Sequence, residues 1–390
     1  MKTQRNHIDL LTLIAVLLLM VLSLSVVYSA SSSWAMEKWG ENSRLLGSHA
    51  IKVLMGFIAI FFFMQVDYHL YRKITKPILL GAIAMLLVTL ALGGEVKGAS
   101  RWLRLGGFGL QPSEFAKYAL LFHLSTLVAV KQDRIREFKV GYLPMMIWIG
   151  TVTVLVLVQP NFSTGAMIFG LSLGILFLGR AKLSHIALTL AALLPLLLVY
   201  MVSAEYRMKR IMGFFSGGSD GNGMHYQLRQ GIIGFGNGGL LGVGPGESRQ
   251  RDFFLPESYG DFVFSIVGEE YGLIGTLFIM ALFLMIMLRG MRIAKHTQDD
   301  FGRMLAAGIT LSITMYALVN AGVTLGILPT TGLPMPFVSY GGSSMVFSSI
   351  AIGVLLNISS QTDLHPRLVT GGENVRPAEP AAIPAVGKVY

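Results

Sequence analysis

The sequence predicts an all-α polytopic membrane protein of about ten transmembrane helices, with one large extracytoplasmic loop between spans 7 and 8. Three observations carry that prediction. Hydrophobic residues make up 53% of the 390 and charged residues 13%, where a soluble domain has about a quarter charged. Mean hydropathy is +0.62. The apolar residues come in long continuous runs without period-2 alternation, which argues against an outer-membrane barrel.

A helix needs roughly 20 predominantly apolar residues to cross a bilayer. Candidate spans fall at about 9–30, 51–66, 77–94, 113–130, 142–159, 164–179, 184–203, 262–288, 304–326 and 342–358. The first follows Lys2 and Arg5, as a signal peptide would, but its apolar region is too long, so it reads as an uncleaved anchor. The short loops then set orientation. One set, from Arg72 to Arg303, holds thirteen Lys and Arg; the opposite set holds six, among them Lys52, Arg101 and Arg104. Both termini are therefore expected in the cytoplasm, and loop 204–261 outside. The net charge of +10 is this topological bias, so it makes no case for nucleic acid.

Residues 1–360 read as a single transmembrane domain, and 361–390, rich in Pro, Gly and Ala, as a disordered cytoplasmic tail. No internal repeat is visible, which disfavours transporter folds built from two related halves. The absence of cysteine rules out disulfides, iron–sulfur clusters and Cys-ligated zinc.

Unusual polar segments gather on the expected outer side, at 97–117, 159–165, 204–261 and 327–344. The most informative stretch is Phe253 to Gly275, where a polar turn bearing Asp261 runs straight into a span. A carboxylate at a membrane lip is costly to keep and points to chemistry on a lipid-borne substrate. Pro112 and Ser113 form a plausible helix start, with Ser113 as cap. Glu114 and Lys117 then share one helix face, either as an intrahelical ion pair or as the lining of a polar cavity. Trp102 reads as an interfacial anchor or a substrate contact.

In the long loop, Gly234, Gly236 and Gly239 match a dinucleotide fingerprint. It is rejected because no βαβ unit surrounds it. The loop glycines are expected to make tight turns or let backbone approach a ligand. Arg207, Lys209, Arg210, Arg249 and Arg251 could hold phosphates or contact lipid headgroups. Glu269 and Glu270 lie roughly 12 Å deeper than Asp261 on a regular helix. They read as buried structural acids, with Lys117 as a candidate partner.

Together, KGASRWL, LQPSEFAK, QPNFSTG, the glycine-rich GVGPG loop, LPESYGDFVFSIVGEEYG and GILPTTGLPMPFVSYGGSS resemble the SEDS family of membrane glycosyltransferases, which includes FtsW and RodA. The resemblance spans about residues 10 to 360, and GVGPGESRQ leans toward the FtsW branch. It implies polymerisation of lipid II into β-1,4 glycan strands for septal wall synthesis in division. It also implies a class B penicillin-binding protein and other divisome membrane proteins as partners, beside membrane lipid.

Asp261 matches the family's essential aspartate, the expected catalytic base. Trp102, Glu114 and Lys117 match other residues implicated in activity, and Arg101, Arg207, Arg210 and Arg249 are binding or cavity candidates. A pyrophosphate leaving group needs positive charge but no second carboxylic acid, unlike a glycosidase. No cofactor is assigned; a divalent cation, Mg or Mn, is the open alternative to Arg or Lys for that charge, and metal ligands are unassigned. Two positions depart from the family pattern: Asn161 stands where Asp is usual, and Tyr259-Gly260 replaces His-Thr before Asp261. The alternatives are a lipid II flippase and a non-catalytic scaffold for the penicillin-binding protein.

Overall fold

The computed structural model describes residues 7–92, 94–96, 99–105, 108–202, 208, 223–255 and 258–362. Among them a helix stands at each of the ten expected intervals. These are α1 (Leu10–Trp39), α2 (Arg44–Phe63), α3 (Tyr68–Leu92), α4 (Pro112–Lys131), α5 (Leu143–Val158), α6 (Phe162–Leu178) and α7 (Leu183–Val202). After two further helices, α8 (Gly223–Gly238) and α9 (Arg249–Phe253), come α10 (Val263–His296), α11 (Asp300–Thr324) and α12 (Gly342–Ser360). Seven of the described helices are long and apolar enough to cross a membrane: α1, α2, α3, α5 with its lead-in from Phe138, α10, α11 and α12. α6 and the described apolar part of α7 are shorter, and α4 carries Glu114, Lys117 and Lys131. The protein is a multi-pass helical membrane protein.

Packing follows sequence order where loops are short: α3 lies on α4, and α10 on α11. Long-range pairs close the bundle, with α1 on α10, α2 on α12 and α11 on α4. α11 and α12 are the most buried of the spans and form its centre. One end of the bundle is tied by Asp9, which caps α1 by accepting from the Thr12 N–H at 2.9 Å. The same carboxylate pairs with Arg289 of α10, and the Asp9 N–H donates to Ser359 Oγ of α12 at 3.0 Å. Burial alone would raise the Asp9 carboxyl, but Arg289 and the Thr12 hydrogen bonds hold it below the usual carboxylate range.

The structure adds to or corrects the sequence reading in four places. The all-α bundle carries one small element that hydropathy did not reveal: β1 (Gly94–Val96), β2 (Ala99–Leu105) and β3 (Phe108–Leu110) form an antiparallel sheet in the order β1-β2-β3. The Gly-Gly pair between β2 and β3 is the hairpin signal that hydropathy passes over. The stretch 204–261 is not all loop, since α8 packs along α10. Ser113 is no cap: Gln111 holds that position, Pro112 is the first helical residue, and Ser113 Oγ is buried. Span 8 is broken at Gly272, which has φ +64° and ψ −162°. A Cβ there would sit 2.4 Å from the Gly242 nitrogen, so only glycine lets the loop strand meet the helix. Of the predicted tail, all but residues 361 and 362 lies outside the described residues.

Candidate active site

Asp261 sits half-exposed in the turn that feeds α10, one residue before the N-cap Phe262. The turn is held by its backbone from three directions. Asn320 of α11 donates its side-chain amide to the Asp261 carbonyl and to the Leu333 carbonyl, each at 2.8 Å. The Tyr340 N–H donates to the Tyr259 carbonyl at 2.9 Å. Ser258 Oγ donates to the Ala30 carbonyl of α1 at 2.9 Å. Across from the carboxylate lies Gly332, where an added Cβ would come within 3.7 Å of Asp261 Oδ2. A part-exposed carboxylate on a braced turn, with the Gly332 backbone facing it, is positioned as a proton acceptor.

Asn320 is buried, and four residues earlier on the same face of α11 lies Tyr316, also buried. Lys117 Nζ rests 3.9 Å from the Tyr316 ring centroid and 4.7 Å from that of Tyr118. It also donates to Glu114 Oε2 at 2.9 Å, and both side chains are 3% exposed. The charged pair therefore lies about 6 Å, one helical turn, deeper than the Asn320 clamp. Its geometry is the intrahelical ion pair of the sequence reading, closed over by two tyrosines. On the far side of Tyr118 an apolar cavity of about 160 Å³ opens between α2, α3, α4 and α12, with Phe63, Phe115, Phe122 and Phe347 in its walls.

The other expected site residues divide. Arg101 reaches from β2 to the Gln159 carbonyl at 3.2 Å and to the Pro160 carbonyl, so it clamps the sheet onto the α5–α6 turn. Trp102 is half-buried in β2 and packs over Gly109, where an added Cβ would meet its ring at 3.4 Å. Arg249 is exposed at the start of α9. Arg207 and Arg210 lie outside the described residues. Arg251 is engaged structurally: it bonds Asp252 at 2.6 Å, Ser29 Oγ at 3.0 Å and the Gly246 carbonyl at 3.0 Å.

Glu269 and Glu270 are buried, but Lys117 is not their partner. Glu269 accepts from the Ser248 hydroxyl and from the Gln250 N–H at 3.2 Å, with Asn237 Nδ2 at 3.5 Å. Glu270 accepts from the Ser29 hydroxyl and faces Arg251 Nη1 at 3.6 Å. The pair anchors the glycine-rich segment, whose Val243 and Gly244 N–H groups also bond the Glu269 and Glu270 carbonyls at 3.0 and 3.1 Å. Gly238 and Gly242 of this segment lie directly against the α10 backbone. Gly242, at φ +82°, would put a Cβ 2.1 Å from the Glu270 carbonyl oxygen.

Sequence reasoning missed Lys52, counted there only as a loop charge. It stands half-buried on α2 with Nζ 3.7 Å from the Tyr340 ring centroid, one peptide link from the Tyr259 turn through the Tyr340 N–H. A lysine inside a span is itself the signal that should have flagged it. Among the described residues no three His, Asp or Glu side chains gather to hold a metal ion. Asn161 is buried at the N-cap of α6.

These features define a polytopic membrane protein with one half-exposed carboxylate braced at a bundle end, above a buried ion pair and beside an apolar cavity. The chain belongs to the FtsW/RodA/SpoVE family of cell cycle proteins, whose family model matches residues 9–364. It is 39% identical over 355 residues to the probable peptidoglycan glycosyltransferase FtsW of Geobacter metallireducens, covering 90% of this chain and 95% of that one. It is 37% identical over 361 residues to stage V sporulation protein E of Bacillus subtilis, covering 92% and 99%. Its fold is similar to a chain of a peptidoglycan synthase complex solved for its coordination of polymerization and crosslinking, at a TM-score of 0.75 and 22% identity over 90% of this chain and 97% of that chain. The RodA of Thermus thermophilus matches at a TM-score of 0.68 and 22% identity over 90% and 96%.

Proposed function

We propose that this protein is a peptidoglycan glycosyltransferase. In this reading it polymerises lipid II into β-1,4 glycan strands at the outer face of the bacterial cytoplasmic membrane, for septal wall synthesis in division. The observation that carries the reading is Asp261, half-exposed on a turn braced by Asn320, Tyr340 and Ser258. Membership of a family whose relatives are named as probable peptidoglycan glycosyltransferases supports it. The topology that goes with it has a helix crossing at each of the ten expected intervals, both termini in the cytoplasm and the Asp261 end outside.

The acceptor's 4-hydroxyl gives its proton to the Asp261 carboxylate as its oxygen attacks the anomeric carbon of the donor. That carbon's bond to pyrophosphate breaks, and undecaprenyl pyrophosphate leaves as an anion, so no carboxylic acid need protonate it. Attack opposite the leaving group turns an α-linked donor into a β-linked product. General-base help of this kind is worth about 10²–10⁴-fold. Side-chain cations are assigned to the departing anion, with Lys52, on Tyr340, joining the exposed Arg249 as candidates. A divalent cation, Mg or Mn, remains the alternative source of that charge, which metal titration of the polymerisation assay tests. The apolar cavity beside Tyr118 suits a hydrocarbon chain, as a lipid-linked substrate requires. A class B penicillin-binding protein and other divisome membrane proteins are the expected partners.

The test is a lipid II polymerisation assay on purified protein, with and without a co-purified transpeptidase. Asp261→Ala should abolish polymer while leaving any lipid II flipping intact. Polymer formation at the wild-type rate by that variant sinks the assignment, and flipping without polymer in the wild type favours the transporter.

A further inference from the structure

A second pocket lies at the bundle end remote from Asp261, about 30 Å away along α11, which runs from Asp300 there to the Asn320 clamp. The ends of α4 and α6 and the start of α11 frame a space of about 460 Å³. Val128, Leu178 and Met304 give it an apolar floor, and Arg136, Arg180, Arg303, Asp133 and Asp300 a charged rim. These charges do not cancel. Arg303 pairs with Asp300, which also accepts from Gln132 Nε2 at 3.1 Å. Among the described residues no carboxylate comes within ion-pair distance of Arg136 or Arg180. Asp133 stands exposed on the same 3-10 turn as Arg136, Gln132–Arg136.

The backbone is bent to put these side chains here. α6 stops where the Arg180 N–H donates to the Phe177 carbonyl and the Ala181 N–H to the Leu176 carbonyl, each at 3.0 Å. The left-handed position of such a stop ordinarily takes glycine, yet Arg180 holds it, at φ +65°. Gly179 before it is fixed by space, since a Cβ would sit 2.7 Å from Val128 Cγ1 and 3.2 Å from Ile135 Cδ1. The end of α6 thereby closes directly on α4 and the 3-10 turn. Gln132, where α4 ends, has φ +38°. Two of the four non-glycine residues with positive φ among those described line this one pocket. Backbone strain kept where glycine would relieve it marks a side chain that the site uses. Apolar surface flanks the pocket as well: Val130 on α4 is 63% exposed and Phe177 on α6 60%.

We infer that this pocket binds the glycerol-bearing phosphodiester headgroup of an anionic phospholipid, drawn from the leaflet on the side away from Asp261. Arg136 and Arg180 take the phosphate, since a guanidinium fork bonds two of its oxygens at once. Asp133 repels a bare phosphate but accepts from headgroup hydroxyls, which favours a glycerol ester over the free ion. The acyl chains lie along the apolar faces beside Val130 and Phe177. Basic pockets between membrane helices hold phospholipid headgroups in this way, and the volume falls in the usual range of about 300–1,000 Å³ for small ligands. The inference goes beyond the transferase reading and does not depend on it. A bound headgroup joins α4, which carries Glu114 and Lys117, to α11, which carries Asn320, and so stabilises the bundle by mass action.

The test adds phosphatidylglycerol, phosphatidylcholine or inorganic phosphate to the purified full chain in mild detergent. Melting temperature and the lipid retained in native mass spectrometry are read. Phosphatidylglycerol should raise the melting temperature, and neither phosphatidylcholine nor inorganic phosphate should match it. Arg180→Gly places the preferred residue at a left-handed position, so the lipid-free melting temperature should hold or rise. Its affinity for phosphatidylglycerol should nonetheless fall about fivefold, and Arg136→Gln should lose a similar factor. Lys73→Gln removes an exposed charge from α3 at the same end of the bundle but outside the pocket, and should leave affinity nearly unchanged. Equal losses in Lys73→Gln and Arg180→Gly overturn the pocket, because a diffuse basic surface then accounts for the binding. Wild-type affinity in both arginine variants overturns it too. Inorganic phosphate that stabilises as strongly as phosphatidylglycerol overturns the lipid and leaves a simple anion site.

Discussion

Asp261 and the Glu269–Glu270 pair lie on one stretch of chain, eight and nine residues apart, and the fold treats them oppositely. Glu269 and Glu270 are each 1% exposed and meet hydroxyl, amide and guanidinium donors from α1, α8 and α9. Asp261 is half-exposed, and the bonds bracing its turn fall on the carbonyls of Asp261 and Tyr259. Three carboxylates of the same chemistry are thereby sorted by environment. Two fix a glycine-rich segment in place, and one is presented at the bundle end. The lesson is that an acid in or beside a span is a better functional candidate where it reaches the surface than where buried donors hold it.

The sharpest way to break this contrast is Asp261→Asn. The proposed base is lost while shape is kept, so polymer formation from lipid II should fall by about 10²–10⁴-fold. The melting temperature in detergent should fall far less than activity, because the bracing contacts to the Asp261 and Tyr259 carbonyls survive the substitution. A matching fall in melting temperature would make Asp261 a structural acid like its neighbours. Next in size is Lys117→Met, which strands Glu114 in the interior. Removing one partner of a buried pair costs about 3–5 kcal/mol, and a combined Glu114→Leu and Lys117→Met variant should recover most of it. Thermal unfolding of the single and double variants checks this; equal losses in both would show that the pair is not coupled.

Much of the bundle was legible because hydrophobic runs are long and helical intervals follow from them directly. The sheet at 94–110 was not, because three short strands leave no hydropathy trace and their signal is one Gly-Gly pair. The break at Gly272 was invisible for a related reason: its cause is Gly242, thirty residues earlier in sequence, whose nitrogen occupies the space of a side chain. At the site, Asp261 and Glu114–Lys117 stood out as charges against apolar surroundings. Asn320 and Tyr316 did not, although they join the two, since their pairing needs the face of α11 that only packing reveals. Lys117 was matched to the wrong acids because depth along a helix was weighed without azimuth.

A smaller effect sharpens the same comparison from the structural side. Glu269→Ala leaves the Ser248 hydroxyl and Gln250 N–H without their acceptor, for an expected loss of about 1–3 kcal/mol. Hydrogen exchange should rise across 238–250, with polymerisation falling only as the folded fraction falls. A rate loss beyond that would place Glu269 in the chemistry and erase the distinction from Asp261.

The smallest expected effect on activity lies at the opposite end of the bundle, where Asp9 caps α1 and pairs with Arg289. Asp9→Asn keeps an N-cap acceptor but removes the charge from a largely buried pair, for a stability loss of about 1.5–3 kcal/mol at neutral pH. The folded carboxyl titrates below its usual range, so its contribution is complete above the unfolded value. It is lost as pH falls through about 4 toward the folded value. Melting temperatures of wild type and variant should therefore differ most near pH 7 and converge in acid. Because this end is remote from Asp261, lipid II polymerisation per folded molecule should be unchanged. A widening gap at low pH would mean that burial outweighs Arg289 and that the carboxyl is held protonated.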